Sequence, residues 1–223
     1  MAIRKMLQYN PLDCLPAAED LLEPDNAPVN NELQYSILSL LKAILAFVWA
    51  DRMDWFFGVY MAIYQHYNQP PIIPDGFLSL GVERFVEEDL RLSYDLYEEE
   101  RVPIMALEVL FDQLRGEYST KKQFYTQLEV LYYVIYNPLR RRTPTLTVYR
   151  LVNGKYQLQP GNPVWLPEIG LGIGSEMGTY QGIRREWLYW YNEQGKRLLT
   201  PEEQVKVLAE RLKSLGVDPD SLV

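Results

Sequence analysis

The sequence predicts one α/β domain over residues 1–223, in which helices pack on a mixed β-sheet. Apolar residues recur at helical spacing through residues 33–48, so this segment predicts an amphipathic helix with one face against a core. Val102–Phe111 is nearly all apolar, as strands buried on both faces are. A helical pattern and another apolar strand follow it, and this strand–helix–strand order predicts a crossover connection. A chain of 223 residues suits one domain.

The predicted elements follow one another with short connections. In the first part of the chain they are an irregular lead-in at 1–29, a helix capped by Asn30 or Asn31, strands at 55–64 and 72–80, an acidic loop with a short helix at 81–101, a strand at 102–111, a helix at 119–128 and a strand at 130–136. Extra C-terminal strands at 146–152, 155–158 and 185–191 precede a helix and tail at 200–223, which Thr200 begins as N-cap.

Composition restricts the class of protein. No apolar run reaches the roughly 18 residues that a membrane-spanning helix needs, and residues 1–10 lack the apolar stretch of a signal peptide. Cys14 is the single cysteine, so no internal disulfide can form. We therefore expect a cytoplasmic protein that has no membrane partner.

The net charge of −8 opposes tight binding of nucleic acid, because such proteins usually present a basic face to the phosphates. The charge is uneven, however. Residues 87–100 are rich in acids, whereas Arg140, Arg141 and Arg142 form a compact basic cluster. This cluster is either a phosphate contact or an exposed turn with solubilising charge.

Two carboxylates interrupt segments that are otherwise apolar. Asp75 follows Pro74 in the second predicted strand, and Glu108 lies inside the strand at 102–111. A carboxylate in a buried strand is costly unless it is paired or binds a metal. Proline cannot donate to a strand ladder, so the strand around Pro74 is expected to be paired on one side only or to be bulged.

The phase of the following helix selects between two lysines. Lys121 shares the stripe of Phe124 and Tyr125, which is expected to pack on the sheet, whereas Lys122 shares the stripe of Thr126 and should face water. Lys121 is therefore expected to reach back to the carboxylates.

Together these residues suit hydrolysis of a phosphodiester bond. Asp75 and Glu108 would hold Mg²⁺ or Mn²⁺ through oxygen ligands, and the metal would activate a water molecule. A nearby lysine would orient that water or stabilise negative charge in the transition state. A buried ion pair with a structural role explains the same pattern, so both readings stay open.

The chain also resembles the Uma family, whose members are described as restriction endonucleases of the PD-(D/E)xK superfamily. The resemblance covers nearly the whole chain. The segments that carry it are Val29–Gln34, Trp49–Arg52, Asp54–Gly58, Ile73–Gly81, Leu107–Leu110, Glu117–Lys121, Val130–Pro138, Trp165–Leu171, Arg185–Tyr191 and Leu215–Pro219.

The resemblance implies a restriction-endonuclease-like fold in which Pro74-Asp75 supplies the "PD" and Glu108 the second acid. The superfamily's usual lysine position is occupied by Leu110, and the role of that lysine would pass to Lys121.

Two further acids match the family pattern. Glu117 matches an acidic position four residues before Lys121, and Glu32 resembles an extra acid near the metal. A glutamate in a first helical turn is also favoured by the helix dipole alone.

The resemblance further implies an acidic residue near Gly58–Met61, where this chain has Tyr60. The first functional hypothesis is accordingly a metal-dependent endonuclease acting on DNA, expected as a homodimer because cutting two strands suits two sites. The alternative is a catalytically weakened nuclease fold that acts as a binding or interaction module, which Leu110 and the acidic charge favour.

Other motifs carry little functional weight. Gly170–Gly174 lacks the spacing of a phosphate loop and is expected to be a flexible connection. His66 is the only histidine and is expected to lie exposed in a turn. Arg184 and Arg185 beside Trp187 are a weaker candidate for a phosphate contact.

Overall fold

A computed structural model describes residues 31–65, 70–86, 90–110, 119–139 and 145–219. All the helices and strands named below lie in the unit that begins at Glu32. The predicted lead-in at 1–29 lies outside the described residues, so a single domain over 1–223 stays a prediction. The predicted fold class is confirmed, because the described unit has a mixed central sheet, flanking helices and extra C-terminal strands.

The central sheet has six strands in the order β1-β3-β5-β6-β7-β8. Neighbouring strands are antiparallel except β5 and β6, which are parallel and are connected through the helix α3. β5 and β6 are buried along their whole length, as their continuous apolar sequences predict. The bounds are β1 Trp55–Val59, β3 Gly76–Leu80, β5 Met105–Val109, β6 Tyr132–Tyr136, β7 Leu146–Val152 and β8 Lys155–Gln159.

Two helices cover opposite faces of this sheet. The helix α1 (Glu32–Val48) buries its apolar stripe in the same core cluster as Leu107 and Val109 of β5. The helix α3 (Thr120–Gln127) contributes Tyr125 to the cluster that contains Ala106 and Leu110. Because side chains alternate along a strand, Glu108 shares the α3 face with Ala106 and Leu110.

A three-stranded antiparallel sheet follows, in the order β11-β10-β9. The strand β11 of this sheet packs on α1, where the Trp190 indole N–H donates to the Leu41 carbonyl at 3.1 Å. The final helix α4 begins at a Thr200 N-cap with a capping box through Glu203, as predicted. The bounds are β9 Val164–Leu166, β10 Leu171–Tyr180, β11 Ile183–Tyr191 and α4 Pro201–Ser214.

The acidic region contains the predicted short helix, α2 (Leu96–Glu99), which Asp95 caps at its N-terminus. The short strand β4 (Tyr94–Asp95) directly precedes α2 and pairs in parallel with β2 (Ile63–Tyr64). Among the helices of the described residues, none combines the length and apolar character needed to cross a bilayer.

The predicted strand at 55–64 was wrong in extent. β1 ends at Val59, because Tyr60 adopts the left-handed backbone conformation with a φ of 47°. The chain turns there, and Ile63 pairs with β4 instead of continuing along β3.

The predicted strand at 72–80 was also too long. Its ladder begins only at Gly76, after Pro74, which has no N–H to donate. Ile72 forms an isolated bridge to Ile63, so the segment before Pro74 belongs to the turn region rather than to the central sheet.

The prediction of a flexible connection at Gly170–Gly174 was wrong. Leu171–Gly174 opens the ten-residue strand β10, which is buried in this part. A Cβ on Gly174 would lie 2.8 Å from Pro163 Cα, and a Cβ on Gly172 would lie 3.2 Å from Tyr191 Cβ. These glycines are therefore needed for close strand packing rather than for flexibility.

Candidate active site

Strand register brings Asp75 and Glu108 side by side. Gly76 of β3 pairs with Leu107 of β5, so the next position along the ladder sets Asp75 beside Glu108. Tyr60, which follows the last residue of β1, is held next to Asp75 by a backbone hydrogen bond. Side chains directly opposite each other in an antiparallel pair lie about 4.5–5.5 Å apart at Cβ. The fold therefore brings the two carboxylates together.

Asp75 is held in place by hydrogen bonds from both neighbouring strands. The Val109 backbone N–H donates to Asp75 Oδ2 at 2.6 Å. The Tyr60 backbone N–H donates to the Asp75 carbonyl at 3.0 Å. These contacts fix the residue at the point where β3 begins, just after Pro74. The Asp75 side chain is half-buried, so one side of it reaches solvent.

Glu108 is buried, with only 1% of its surface exposed, and both of its carboxylate oxygens are bonded by α3. Lys121 Nζ lies 2.6 Å from Glu108 Oε2. The Tyr125 hydroxyl donates to Glu108 Oε1 at 2.7 Å. Lys121 and Tyr125 are four residues apart and therefore lie on one face of the helix.

Burial and the negative charge of Asp75 both raise the pKa of Glu108. The pKa of Glu108 is raised to about 7, chiefly by burial and then by the negative charge of Asp75, against the opposing effects of Lys121 and Tyr125. A carboxyl that changes its charge near neutral pH beside a second carboxylate is typical of functional sites. The pKa of Tyr125 is raised well above its ordinary value by burial and by Glu108.

The helix phase separates the two lysines, but Lys122 does not simply face water as predicted. Its Nζ lies 3.5 Å from the centre of the Tyr149 ring on β7, in a cation–π contact. Burial lowers the pKa of Lys122. Lys122 therefore packs on the sheet beyond the carboxylates, while Lys121 contacts Glu108.

Tyr60 has two unusual features. Its φ of 47° is strained for a bulky residue, and such strain often persists where the surroundings fix a functional conformation. Its hydroxyl is buried and has no hydrogen-bond partner among the described residues. The pKa of Tyr60 is raised by burial and by the charge of Asp75, which places the phenol within electrostatic reach of that carboxylate.

The helix α1 contributes a different residue from the one predicted. Glu32 is exposed in the first turn and makes no hydrogen bond or ion pair within the described part of the chain. α1 packs on the face opposite to Glu108, which explains why Glu32 does not join the pair. Gln34 is buried instead, and its Nε2 donates to the Val109 carbonyl at 3.2 Å. Gln34 thus supports the end of β5 that carries Glu108.

Sequence reasoning missed Gln34 and Tyr125 as parts of this site. The helical stripe identified Tyr125 only as a core residue. A tyrosine four residues after the lysine on a helix next to a buried glutamate is the signal that could have pointed to it.

Several predicted residues cannot be placed. Glu117, Cys14, His66 and Arg140–Arg142 lie outside the described residues. Arg185 is described, and it packs within the fold: it donates to the Pro138 carbonyl at 3.1 Å and lies 5.7 Å from the centre of the Trp187 ring.

The donor chemistry of this site fits a hard divalent cation. Within the described ranges no three His, Cys, Asp or Glu side chains form a ready-made metal cluster. Mg²⁺, however, is usually held by one or two carboxylates and several waters. The unpartnered Tyr60 hydroxyl near Asp75 is a polar group that such a water would satisfy. Asp75 and Glu108 are therefore the residues that could hold the ion.

Residues 19–177 match the model of the Uma2 family, described as "Putative restriction endonuclease". A crystal structure of "a putative nuclease belonging to DUF820" from Anabaena variabilis is similar with a TM-score of 0.48 and 14% identity, over 63% of this chain and 75% of that one. No curated protein sequence matches the chain. Because the family model covers more than half of the sequence, the chain belongs to the Uma2 restriction endonuclease family.

Proposed function

We propose that this family member is a divalent-metal-dependent nuclease that hydrolyses phosphodiester bonds in DNA, with Asp75 and Glu108 as ligands of Mg²⁺ or Mn²⁺. The observation that carries the proposal is the contact of Lys121 with Glu108, at 2.6 Å, beside a second carboxylate in register. Two acids and one lysine on neighbouring elements are the groups that metal-assisted phosphodiester hydrolysis needs.

Each residue has a role that follows from its position. When bound, the ion would supply a Lewis acid for the phosphate and lower the pKa of a coordinated water. Asp75, anchored by the Val109 N–H, presents its carboxylate at the half-exposed edge of the site. Tyr125 orients Glu108 through its hydroxyl. Glu32 and Glu117 remain candidates for assisting roles.

Lys121 is suited to stabilise negative charge. Its side chain is about one-quarter exposed, so its ammonium lies between the buried Glu108 and the solvent from which a substrate would approach. In the state described here it compensates the charge of Glu108. With a phosphate present, the same ammonium can stabilise the negative charge that develops on the phosphoryl oxygens.

A second candidate function is a binding module that has kept the fold without the chemistry. One observation favours it: both oxygens of Glu108 already accept hydrogen bonds, from Lys121 and from Tyr125. Binding of a metal by Glu108 requires at least one of these contacts to yield.

A cleavage assay separates the two functions. Single-stranded and double-stranded DNA and RNA are incubated with Mg²⁺, Mn²⁺ or EDTA. The wild-type protein should cleave DNA only with metal, and Asp75→Asn and Lys121→Met should each lose at least about 100-fold in rate, as expected for removal of one charge-stabilising group. Lys122→Met is the matched control, because it removes the neighbouring lysine and should cleave as the wild type does.

The two remaining outcomes contradict the proposal. Equal cleavage by Asp75→Asn would exclude that carboxylate from the chemistry. Absence of cleavage by the wild-type protein under all metal conditions, together with retained binding of nucleic acid, would favour the binding module.

We also propose a homodimer, since cleavage of two strands suits two sites. Light scattering coupled to size-exclusion chromatography should give twice the mass of one chain. The mass of a single chain at micromolar concentration would contradict this part.

A further inference from the structure

A small cavity lies along the free edge of the central sheet. β1 is an edge strand, because within the described residues it pairs only with β3. The cavity has a volume of about 210 Å³. Its lining includes Phe56–Val59 of β1, Lys42 of α1, and Arg84, Phe85 and Arg91 of the segment after β3.

Within the described part of the chain, neither Lys42 nor Arg84 has a carboxylate at ion-pair distance, although the protein as a whole is acidic. Arg84 instead lies 4.3 Å from the centre of the Trp55 ring. Burial lowers the pKa of Lys42, and the charge of Arg84 lowers it further. Burial and the charge of Arg91 lower the pKa of Arg84.

Arg91 differs from the other two cations, because Glu99 already pairs with it through both carboxylate oxygens, at 2.5 and 3.0 Å. The Arg91 guanidinium also lies 4.7 Å from the centre of the Phe56 ring. Arg91 therefore closes one wall of the cavity, and the excess positive charge belongs to Lys42 and Arg84. The mutual repulsion of Lys42 and Arg84, which have no counter-ion among the described residues, is a cost that an anionic ligand would remove.

The rim of the cavity is apolar and exposed. Phe85 is 56% exposed and Leu90 is 77% exposed. An exposed aromatic ring beside unpaired cations suits a nucleotide, since a base can stack on the ring while its phosphate contacts the charges. A base in a duplex is already paired and stacked on its neighbours, so a base that stacks on Phe85 belongs to an unpaired strand.

The cavity is connected to the candidate active site through β1. The strand runs from Trp55, under Arg84, to Tyr60, beside Asp75, which is about 16 Å at roughly 3.3 Å per residue. The helix α1 lies on the opposite face of the sheet from Glu108, and its Lys42 lies about 12 Å along the axis from Gln34, which bonds the Val109 carbonyl at the end of β5. These two separations correspond to about four to five stacked nucleotides at about 3.4 Å each, or fewer if the nucleotides are unstacked.

We propose that Lys42 and Arg84 form a phosphate-binding subsite for one unpaired strand of nucleic acid, with a base of that strand against Phe85. This inference rests on the proposed nuclease function and deepens it, because it assigns the substrate an unpaired segment a few nucleotides from the carboxylates. It also reconciles nucleic-acid binding with the net charge of −8, since the contact needs a local pair of cations rather than a basic face.

Binding without cleavage tests the subsite. Fluorescence anisotropy in EDTA measures the affinity of a labelled single-stranded 12-mer and of its duplex at several NaCl concentrations. Lys42→Met and Arg84→Gln should each weaken single-strand binding by at least about tenfold and reduce the slope of log K against log [NaCl] by about 0.7, the value for one lost phosphate contact. Lys155→Met, on the opposite edge strand, and Arg211→Gln, on α4, are matched controls that should bind as the wild type does.

Two further variants guard against loss of the fold. Lys42→Arg and Arg84→Lys keep the charge and should retain most of the affinity, and all variants are compared by thermal unfolding. Phe85→Leu should weaken single-strand binding without changing the salt slope, because it removes an aromatic surface but no charge.

Wild-type affinity for the single strand in both Lys42→Met and Arg84→Gln would overturn the inference, and so would an equal loss of affinity in Lys155→Met. A duplex that binds as tightly as the single strand would also contradict it. So would an acidic peptide that binds at Lys42 and Arg84 in place of the oligonucleotide. If the wild-type protein still cleaves DNA and Asp75→Asn does not, these results leave the nuclease proposal intact. A wild-type protein that neither binds nor cleaves nucleic acid would remove both.

Discussion

Glu108 is the residue on which the energetics of the site depend. It is buried in the middle of β5, where an isolated carboxylate would be strongly disfavoured. Lys121 and Tyr125 reduce this cost by bonding both oxygens, while Asp75 increases it. The residue is therefore retained at a cost in stability, and binding of a cation would relieve the repulsion between the two acids.

This arrangement predicts how stability depends on pH. The pKa of Glu108 is about 7 in the folded protein, against an ordinary value of 4.5. Between these values the folded state holds one proton more than the unfolded state, so the free energy of unfolding should fall as pH rises from about 4.5 to 7, by up to about 3 kcal/mol.

Urea denaturation at pH 5, 6, 7 and 8 checks this dependence, with Glu108→Gln as the reference. The difference in slope between the wild-type protein and the variant isolates Glu108 from the other acids. Parallel curves for the two proteins would show that Glu108 ionises in the folded state as it does in the unfolded chain.

Tyr60 supports a second prediction for a single residue. Its buried hydroxyl lacks a partner among the described residues, so Tyr60→Phe removes a desolvated polar group without breaking a hydrogen bond. The free energy of unfolding of the metal-free protein should stay the same or rise by up to about 1 kcal/mol. Equilibrium urea denaturation measures it, and a loss of more than 1 kcal/mol would mean that the hydroxyl has a structural partner in solution.

The site residues that the sequence predicts are those whose evidence lies in the neighbouring sequence. Asp75 and Glu108 interrupt apolar strands, and Lys121 shares a helical stripe with Tyr125, so the sequence alone indicates all three. The sequence could not show that Gln34, rather than Glu32, lies at the site, because this depends on which face of the sheet α1 covers. That face is set by packing against Leu107 and Val109, which the periodicity of α1 does not encode.

At the scale of the elements, the pairing of β1 with β3 positions both Asp75 and the cavity along β1. Gly58 of β1 makes this contact possible, because a Cβ there would lie 2.2 Å from Cε1 of the Phe77 ring. Phe77 is fully buried and packs edge-on against Tyr94 at 5.0 Å between ring centres, so its ring cannot easily move away.

Gly58→Ala should therefore lower the free energy of unfolding by about 1–3 kcal/mol, the usual effect of overpacking a core. Thermal and urea denaturation check the value. Gly76→Ala offers a comparison, since its Cβ would meet the end of the flexible Leu38 side chain at 2.8 Å and should cost less. The reverse order of the two variants would contradict this account of the packing.

The strand β10 was predicted as a flexible connection, because three of the five residues at 170–174 are glycines, which are frequent in turns and depleted in strands. The same glycines allow the backbone to approach Pro163 and Tyr191, which only the folded structure reveals. Similarly, nothing in the sequence around Tyr60 marks its left-handed conformation, which ends β1 and separates it from β2.

For the molecule as a whole, the proposed metal site links stability to metal concentration. A ligand that binds only the folded state stabilises it by about 2.7 kcal/mol at 100 times its Kd. Thermal unfolding with rising Mn²⁺ should therefore show a concentration-dependent increase in Tm that EDTA reverses. Asp75→Asn should abolish the increase, and Lys122→Met should keep it. An equal increase in Asp75→Asn would locate the stabilising ion elsewhere.

The central claim is that Asp75 and Glu108 together form a divalent-metal site, and titration with Mn²⁺ tests it most directly. Electron paramagnetic resonance of the free ion at pH 8, where Glu108 is ionised, should give one bound Mn²⁺ per chain. Asp75→Asn and Glu108→Gln should each weaken binding by at least about tenfold, a loss that even the partners of metal ligands commonly cause, while Lys122→Met should not. Wild-type Mn²⁺ affinity in both Asp75→Asn and Glu108→Gln would contradict the claim.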